Sequence, residues 1–142
     1  MTPENLAHLH RLVFTCPPPW SAREFATFLY DPSCFLLSHA QDEEVLSFGL
    51  FRVVADEAEL LTLATAPHAR RQGLARDVLG RGLAQAQARG AAQCFLEVSA
   101  QNDAAILLYQ SFGFFEVGRR KSYYQASDGR GVDALVFRAI IG

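Results

Sequence analysis

A chain of 142 residues, half of them apolar, suits a single domain and can bury a sizeable core without disulfide staples. Thirteen Lys and Arg against fifteen Asp and Glu give a net charge of −2, which excludes the basic excess of a general nucleic-acid binder. No apolar run nears the ~18 residues of a membrane span, and the opening MTPENLAHLHRLVF carries Glu4 and no signal-peptide pattern.

In chain order, Thr2-Pro3-Glu4 opens a helix with a cap, a proline in the first turn and an acid near the positive end; Leu6, Leu9, Leu12 and Val13 follow at helical spacing. Cys16 to Trp20, with Pro17-Pro18-Pro19, breaks it. Ser21-Ala22-Arg23-Glu24 is a capping box for a short second helix reaching about Tyr30. CFLLSHA and VLSFGLFRVV, separated by Gln41 to Glu44, read as a hairpin, and Asp56-Glu57 turns the chain into a third strand, AELLTLAT. Leu74, Val78, Leu79, Leu83 and Ala86 then make one apolar helical face ending at Gly90. Gly80 and Gly82 inside that helix each cost ~1 kcal/mol relative to alanine, which close packing on a sheet would explain. QCFLEVSA is a strand, Asn102-Asp103 caps a helix through Ser111, Gly113 ends it, and FFEVGRRKSYY and VDALVFRAII are two last strands. The order is that of an α/β fold with a mixed sheet.

Cys16, Cys34 and Cys94 are far apart and form no CxxC or Cys/His ligand spacing with His8, His10, His39 or His68. They read as reduced, buried thiols of a cytoplasmic protein, with no metal expected. The four histidines show no pairing, and none receives a role.

One segment does not read as scaffold. Arg70-Arg71-Gln72-Gly73-Leu74-Ala75-Arg76 sits where the third strand hands over to a helix. A helix start carries N–H groups without partners and a partial positive charge. Gly73 admits an anion close to the backbone, and Arg71 and Arg76 add charge-assisted bonds, so the turn is a phosphate cradle. The alternative is a solvated turn with ordinary surface arginines.

This segment, with the run LEVSAQNDAAILLYQSFGF some twenty residues on, resembles the GNAT superfamily of acetyl-CoA-dependent N-acetyltransferases. The initial PWS, the pattern LEV-x-x-x-N-x-x-A-x-x-LY-x-x-x-GF, the YY pair and DGR-x-x-DA are similar, more narrowly, to the bacterial ribosomal-protein alanine N-acetyltransferases. The resemblance implies one GNAT domain over residues 1–142, with a central mixed, mostly antiparallel sheet flanked by helices, and a first strand that this chain lacks. It implies acetyl-CoA as co-substrate, no metal, and a protein N-terminus as acceptor, with no nucleic-acid or membrane partner and a monomer or weak homodimer. By position, Leu63, Ala64 and Thr65 offer backbone groups to the pantetheine arm. Arg71, Gln72, Gly73, Leu74, Ala75 and Arg76 cradle the pyrophosphate, and Asn102 contacts the pantetheine side. Glu97 matches the proton acceptor and Tyr109 the proton donor.

The residues themselves leave alternatives. Glu97 lies in an apolar strand where partial burial would raise its pKa to a useful range, or it is a strand glutamate reaching solvent at a sheet edge. Tyr109, among Leu107, Leu108 and Phe112, reads by itself as a packed aromatic. Asn102 is both a helix cap and a cofactor contact. Trp20, Tyr123 and Tyr124 line a cleft for an extended peptide or are partly buried core aromatics. A small-amine acetyltransferase and a CoA-binding protein without turnover are the competing functions.

Overall fold

The computed structural model describes residues 1–142. Helix α1 (Pro3–Val13) starts at Thr2, whose hydroxyl accepts the Asn5 N–H at 3.1 Å; helix α2 (Ala22–Leu29) starts at the reciprocal Ser21/Glu24 capping box. Strands β1 (Cys34–Gln41), β2 (Glu44–Val54) and β3 (Glu57–Thr65) follow as a meander. After a 3-10 turn at Pro67–Ala69 come α3 (Leu74–Ala88), β4 (Gln93–Ser99), α4 (Asp103–Ser111), β5 (Phe115–Gln125) and β6 (Gly131–Ile140). The six strands form one sheet in the order β1-β2-β3-β4-β6-β5, antiparallel except between β3 and β4. The architecture is the mixed, mostly antiparallel sheet flanked by helices that the sequence implies, with α1 as its first element.

Apolar side chains fill both faces of the sheet. One core joins α3 and α4 to the sheet through Phe51, Leu79, Leu83, Leu96, Tyr109 and Phe137; the other joins α1 and α2 through Leu6, Leu9, Phe25, Phe48 and Leu50. Strand β2 alternates between them, Phe48 and Leu50 to one side and Phe51 to the other, as a central strand must. Gly82 lets α3 lie directly on that strand, since a Cβ there would come within 2.0 Å of the Phe51 ring. Gly80 has no such need: its nearest neighbour, Phe112, would be at 3.5 Å, an ordinary contact. Of the three thiols only Cys94 is fully buried, whereas Cys16 and Cys34 are half-buried. Burial pushes all three up, Cys94 to about 12, so they stay protonated at neutral pH.

The feature that makes a site is a failure of pairing. The parallel ladder between β3 and β4 covers only Glu57 with Gln93, Ala58 with Cys94 and Glu59 with Phe95. Beyond these the strands part. Strand β3 stays on β2 as far as Thr65, and β4 stays on β6 as far as Ser99, so a gap opens in the middle of the sheet.

Candidate active site

The gap is the floor of an open cleft of about 1540 Å³, walled by Leu60–Leu63 and Thr65 of β3, Phe95–Ser99 of β4, the start of α3, one side of α4, the 14–20 loop and Tyr123–Tyr124 of β5. The register of β3 decides which of its backbone groups face this gap. The Ala66 N–H bonds to the Leu46 carbonyl at 2.8 Å, so by antiparallel alternation the N–H and C=O of Ala64 also point at β2. Those of Leu63 and Thr65 point the other way, into the cleft, where no strand meets them. Of the three residues expected to offer backbone groups, Ala64 is thus turned to the sheet and is buried.

At one end of the cleft stands the start of α3. Gly73 is its N-cap, left-handed at φ +76°, and no side chain caps the helix. The first N–H groups of α3 therefore remain open. A Cβ on Gly73 would meet nothing within 4 Å. Glycine is required here by backbone conformation, and the space above it is free for an anion. Arg71 is also left-handed, at φ +66°. Arg70, Arg71 and Arg76 are exposed and line the cleft, and none has a carboxylate partner. The Arg76 guanidinium lies 5.5 Å from the Phe112 ring centre, which fixes its direction. The one acid in this turn, Asp77, is engaged elsewhere: His39 Nε2 lies 2.6 Å and Arg81 Nε 2.8 Å from its Oδ2. These contacts hold its carboxyl below the usual range. Gln72 is exposed and is not part of the cleft wall.

Glu97, Asn102 and Tyr109 all line the cleft. Glu97 belongs to β4, a central strand, and its side chain, about a third exposed, lines the cleft. The side chain is partly buried, and its Oε1 lies 3.0 Å from Arg120 Nε. Asn102 Oδ1 accepts the Ala105 N–H at 3.2 Å as the cap of α4, leaving its amide N–H groups free at the cleft. Tyr109 is buried, its ring against Phe114 at 5.9 Å between centres. No buried side-chain oxygen lacks a partner, and the Tyr109 hydroxyl makes no hydrogen bond within the protein. The hydroxyl therefore reaches the cleft. Desolvation first, and the Cys94 thiol second, push this phenol well above its ordinary value, so it is a neutral donor throughout the physiological range.

The far end is aromatic. Trp20 stacks on Phe28 at 5.0 Å, Tyr123 and Tyr124 lie edge to face at 5.3 Å, and the Arg120 guanidinium sits 5.1 Å from the Tyr123 ring. Tyr124 is half-buried and pushed up to about 12, mainly by burial, with the Glu97 charge adding to it. All three aromatic residues line the cleft.

Two residues here escaped the sequence reading. His10 is fully buried in α1: its Nδ1 accepts the Trp20 N–H at 2.9 Å, which leaves Nε2–H to donate to Thr62 Oγ1 at 2.9 Å. It thereby ties the proline loop to α1 and to β3. Burial lowers it to about 4, so it is neutral. Its sequence signal is a polar residue one turn from Leu6 on the apolar stripe. Arg120 carries no sequence signal, because its partner lies on a strand two places away in the sheet.

The sequence and the fold have known counterparts. The model of the acetyltransferase (GNAT) family matches residues 5–114. The ribosomal protein bS18-alanine N-acetyltransferase of Escherichia coli K12 is 40% identical over 119 residues, which cover 83% of this chain and 78% of that protein. The crystal structure of the E. coli ribosomal-protein-S18-alanine N-acetyltransferase superposes with a TM-score of 0.90 at 34% identity, covering 99% of this chain and 88% of that one. Arabidopsis thaliana NAA60, solved with a bisubstrate analogue, shares the fold at a TM-score of 0.84 and 20% identity, covering 99% of this chain and 94% of that one. A cleft opened by parting central strands, with an uncapped helix start at its edge, belongs here to a member of the GNAT family of acetyltransferases, an acyltransferase whose reaction is acetyl transfer.

Proposed function

We propose that this acetyltransferase moves the acetyl group of acetyl-CoA directly to the free α-amine of a protein N-terminus, an N-terminal alanine of a ribosomal protein being the first candidate. One observation carries the reading. A single open cleft is lined by a cationic helix start, by a wall of Trp20, Tyr123 and Tyr124, and by Glu97 and Tyr109. The names of the E. coli relatives support the acceptor. The cationic end fits acetyl-CoA: open N–H groups of α3 with Arg71 and Arg76 suit the pyrophosphate, and the outward backbone of Leu63 and Thr65 with the Asn102 amide suits the pantetheine arm. Acetyl-CoA supplies an activated thioester.

The protein's groups complete the chemistry. An α-amine has a pKa near ~8 against ~10.4 for lysine, so much of it is neutral near pH 7 and a modest base suffices. Glu97, paired with Arg120, takes the amine proton, directly or through a water, as nitrogen bonds to the acetyl carbon. Backbone N–H groups of β3 receive the developing oxyanion. As the carbon–sulfur bond breaks, Tyr109 gives its proton to the sulfur and later recovers one from solvent. Such work belongs in the cytoplasm, where ribosomal proteins are made.

The test is a panel of unblocked alanine-initial peptides from ribosomal proteins, the same peptides with blocked N-termini and internal lysines, and polyamines, each followed by CoA release and by mass spectrometry of the acetylated atom. Acetylation of the α-amine alone is expected. Equal or faster acetylation of lysines or polyamines overturns the proposal.

A further inference from the structure

Strand β5 contains a kink whose construction points at the acceptor wall. Arg120 pairs with Ala134 and Tyr124 with Val132, so Lys121, Ser122 and Tyr123 stand opposite Asp133 alone. Two extra residues are forced into this stretch. Ser122 is left-handed at φ +51°, a conformation that non-glycine residues adopt at a cost. The opposing strand makes room: a Cβ on Gly131 would lie 2.6 Å from both Cβ and Oγ of Ser122. It also makes a bond, because Asp133 Oδ1 accepts the Ser122 N–H at 2.9 Å. Asp133 is itself anchored. Its Oδ2 accepts from Arg119 Nη1 at 3.3 Å, and its carbonyl accepts the Ala100 N–H at 2.9 Å, in the turn that leads from β4 into α4.

The consequence is a change of facing. Neighbouring side chains on a regular strand point to opposite faces. Here the neighbours Tyr123 and Tyr124 both line the cleft, their rings 5.3 Å apart, and Arg120 joins them there against Tyr123 and Glu97. Without the kink, one of the two tyrosines would face away.

We propose that Asp133 is a positioning residue for the acceptor: its carboxylate holds Ser122 in the left-handed kink and so turns Tyr123, Tyr124 and Arg120 together onto the acceptor side of the cleft. The inference rests on the reading that this end of the cleft receives the acceptor amine.

Three variants test it: Asp133→Ala, which removes the bond; Asp133→Asn, which keeps a carbonyl oxygen for the Ser122 N–H; and Gly131→Ala, which attacks the kink from below with Asp133 intact. The readouts are KM for the acceptor, kcat, and the acetyl-CoA Kd by direct titration. Asp133→Ala is expected to raise acceptor KM about tenfold or more, the worth of one hydrogen bond to a charged group, with acetyl-CoA Kd unchanged. Asp133→Asn should restore most of the loss, and Gly131→Ala should reproduce the Asp133→Ala pattern. An unchanged acceptor KM in Asp133→Ala, an equal loss of acetyl-CoA affinity, or no rescue by asparagine overturns the proposal. Should Asp133→Ala fail to fold, Gly131→Ala decides by the same split. If the wild type ignores peptides but acetylates a small amine, the functional reading fails alone, and the split measured with that amine still judges Asp133. Turnover of no amine at all overturns both.

Discussion

At the α3 end of the cleft, the groups proposed to hold the pyrophosphate come from one continuous run, Arg70 to Arg76, together with the open N–H groups and dipole of a single helix. At the other end, Trp20, Glu97, Arg120, Tyr123 and Tyr124 arrive from the proline loop, β4 and β5, and each is held by a contact distant in sequence: His10 for the loop, Arg120 for Glu97, Asp133 for the tyrosines. The first end is a local motif that any chain can carry intact. The second exists only when the sheet is assembled in this order. A donor common to a family can be held by the first kind of site, while an acceptor that varies is better met by the second, whose parts can change one at a time.

The largest effects should come from the two groups that move protons, Tyr109 and Glu97. Tyr109→Phe keeps the ring and its packing but removes the proton for the departing thiolate. Single-turnover rates are expected to fall ~10²–10⁴-fold with acetyl-CoA affinity nearly unchanged. Glu97→Gln is expected to cost about 10²-fold near neutral pH and to recover as pH rises, since the amine then arrives already neutral. Tyr109→Phe should stay slow across the same range. Two parallel pH profiles would merge the two roles and remove the distinction between donor side and acceptor side.

Next in size is a pH effect confined to the acceptor end. Folded His10 titrates at about 4 against an ordinary value of 6.5. As pH falls below 6.5 the unfolded chain takes up a proton that the folded chain refuses until about 4, so the stability present above 6.5 is lost across that window. The loss amounts to about 2–3 kcal/mol. Urea unfolding at pH 7.5 and pH 4.5 should show the wild type losing that much more than His10→Gln, which has no ring to titrate. Equal losses in the two proteins would show that His10 is not the group responsible.

The cationic end should respond more gently. Arg71→Ala and Arg76→Ala are each expected to weaken acetyl-CoA binding about tenfold or less, because both side chains are exposed and screened, with acceptor KM unmoved. Added salt should shrink the difference. The smallest effect falls on the fold itself. Gly73→Ala should cost ~1 kcal/mol for the left-handed backbone, read from chemical denaturation without ligand. The loss of acetyl-CoA affinity should exceed it, since the new methyl occupies the open space over the turn. A variant that binds like the wild type would move the cradle elsewhere.

The difference between the two ends is also a difference in what could be read in advance. The helix starts at Thr2, Ser21 and Asn102 were legible because caps are made by side chains three residues from their targets. The strand order along the chain was legible from alternation, and Gly73 from its place between a strand and a helix. Gly82 is costly by helix propensity, and its partner Phe51 is visible only in the packing. Glu97 was expected to be partly buried because its neighbours in sequence are apolar. Its side chain is about a third exposed, at a cleft that opens where β3 leaves β4 after three residue pairs, which no local pattern records. Ala64 was grouped with Leu63 and Thr65, and register alone separates them.

By itself the sequence determined the elements, their caps, the cationic helix start and, through two motifs far apart in the chain, the family. These depend on contacts within a few residues or on patterns repeated along one strand or helix. Tertiary structure alone decided that the central strands part, that His10 sits neutral between Trp20 and Thr62, that Glu97 meets Arg120, and that a kink over Gly131 turns two neighbouring tyrosines to one side. Each of these is set by register and by contacts between segments distant along the chain, where the energy of a pairing depends on geometry that neither segment specifies alone.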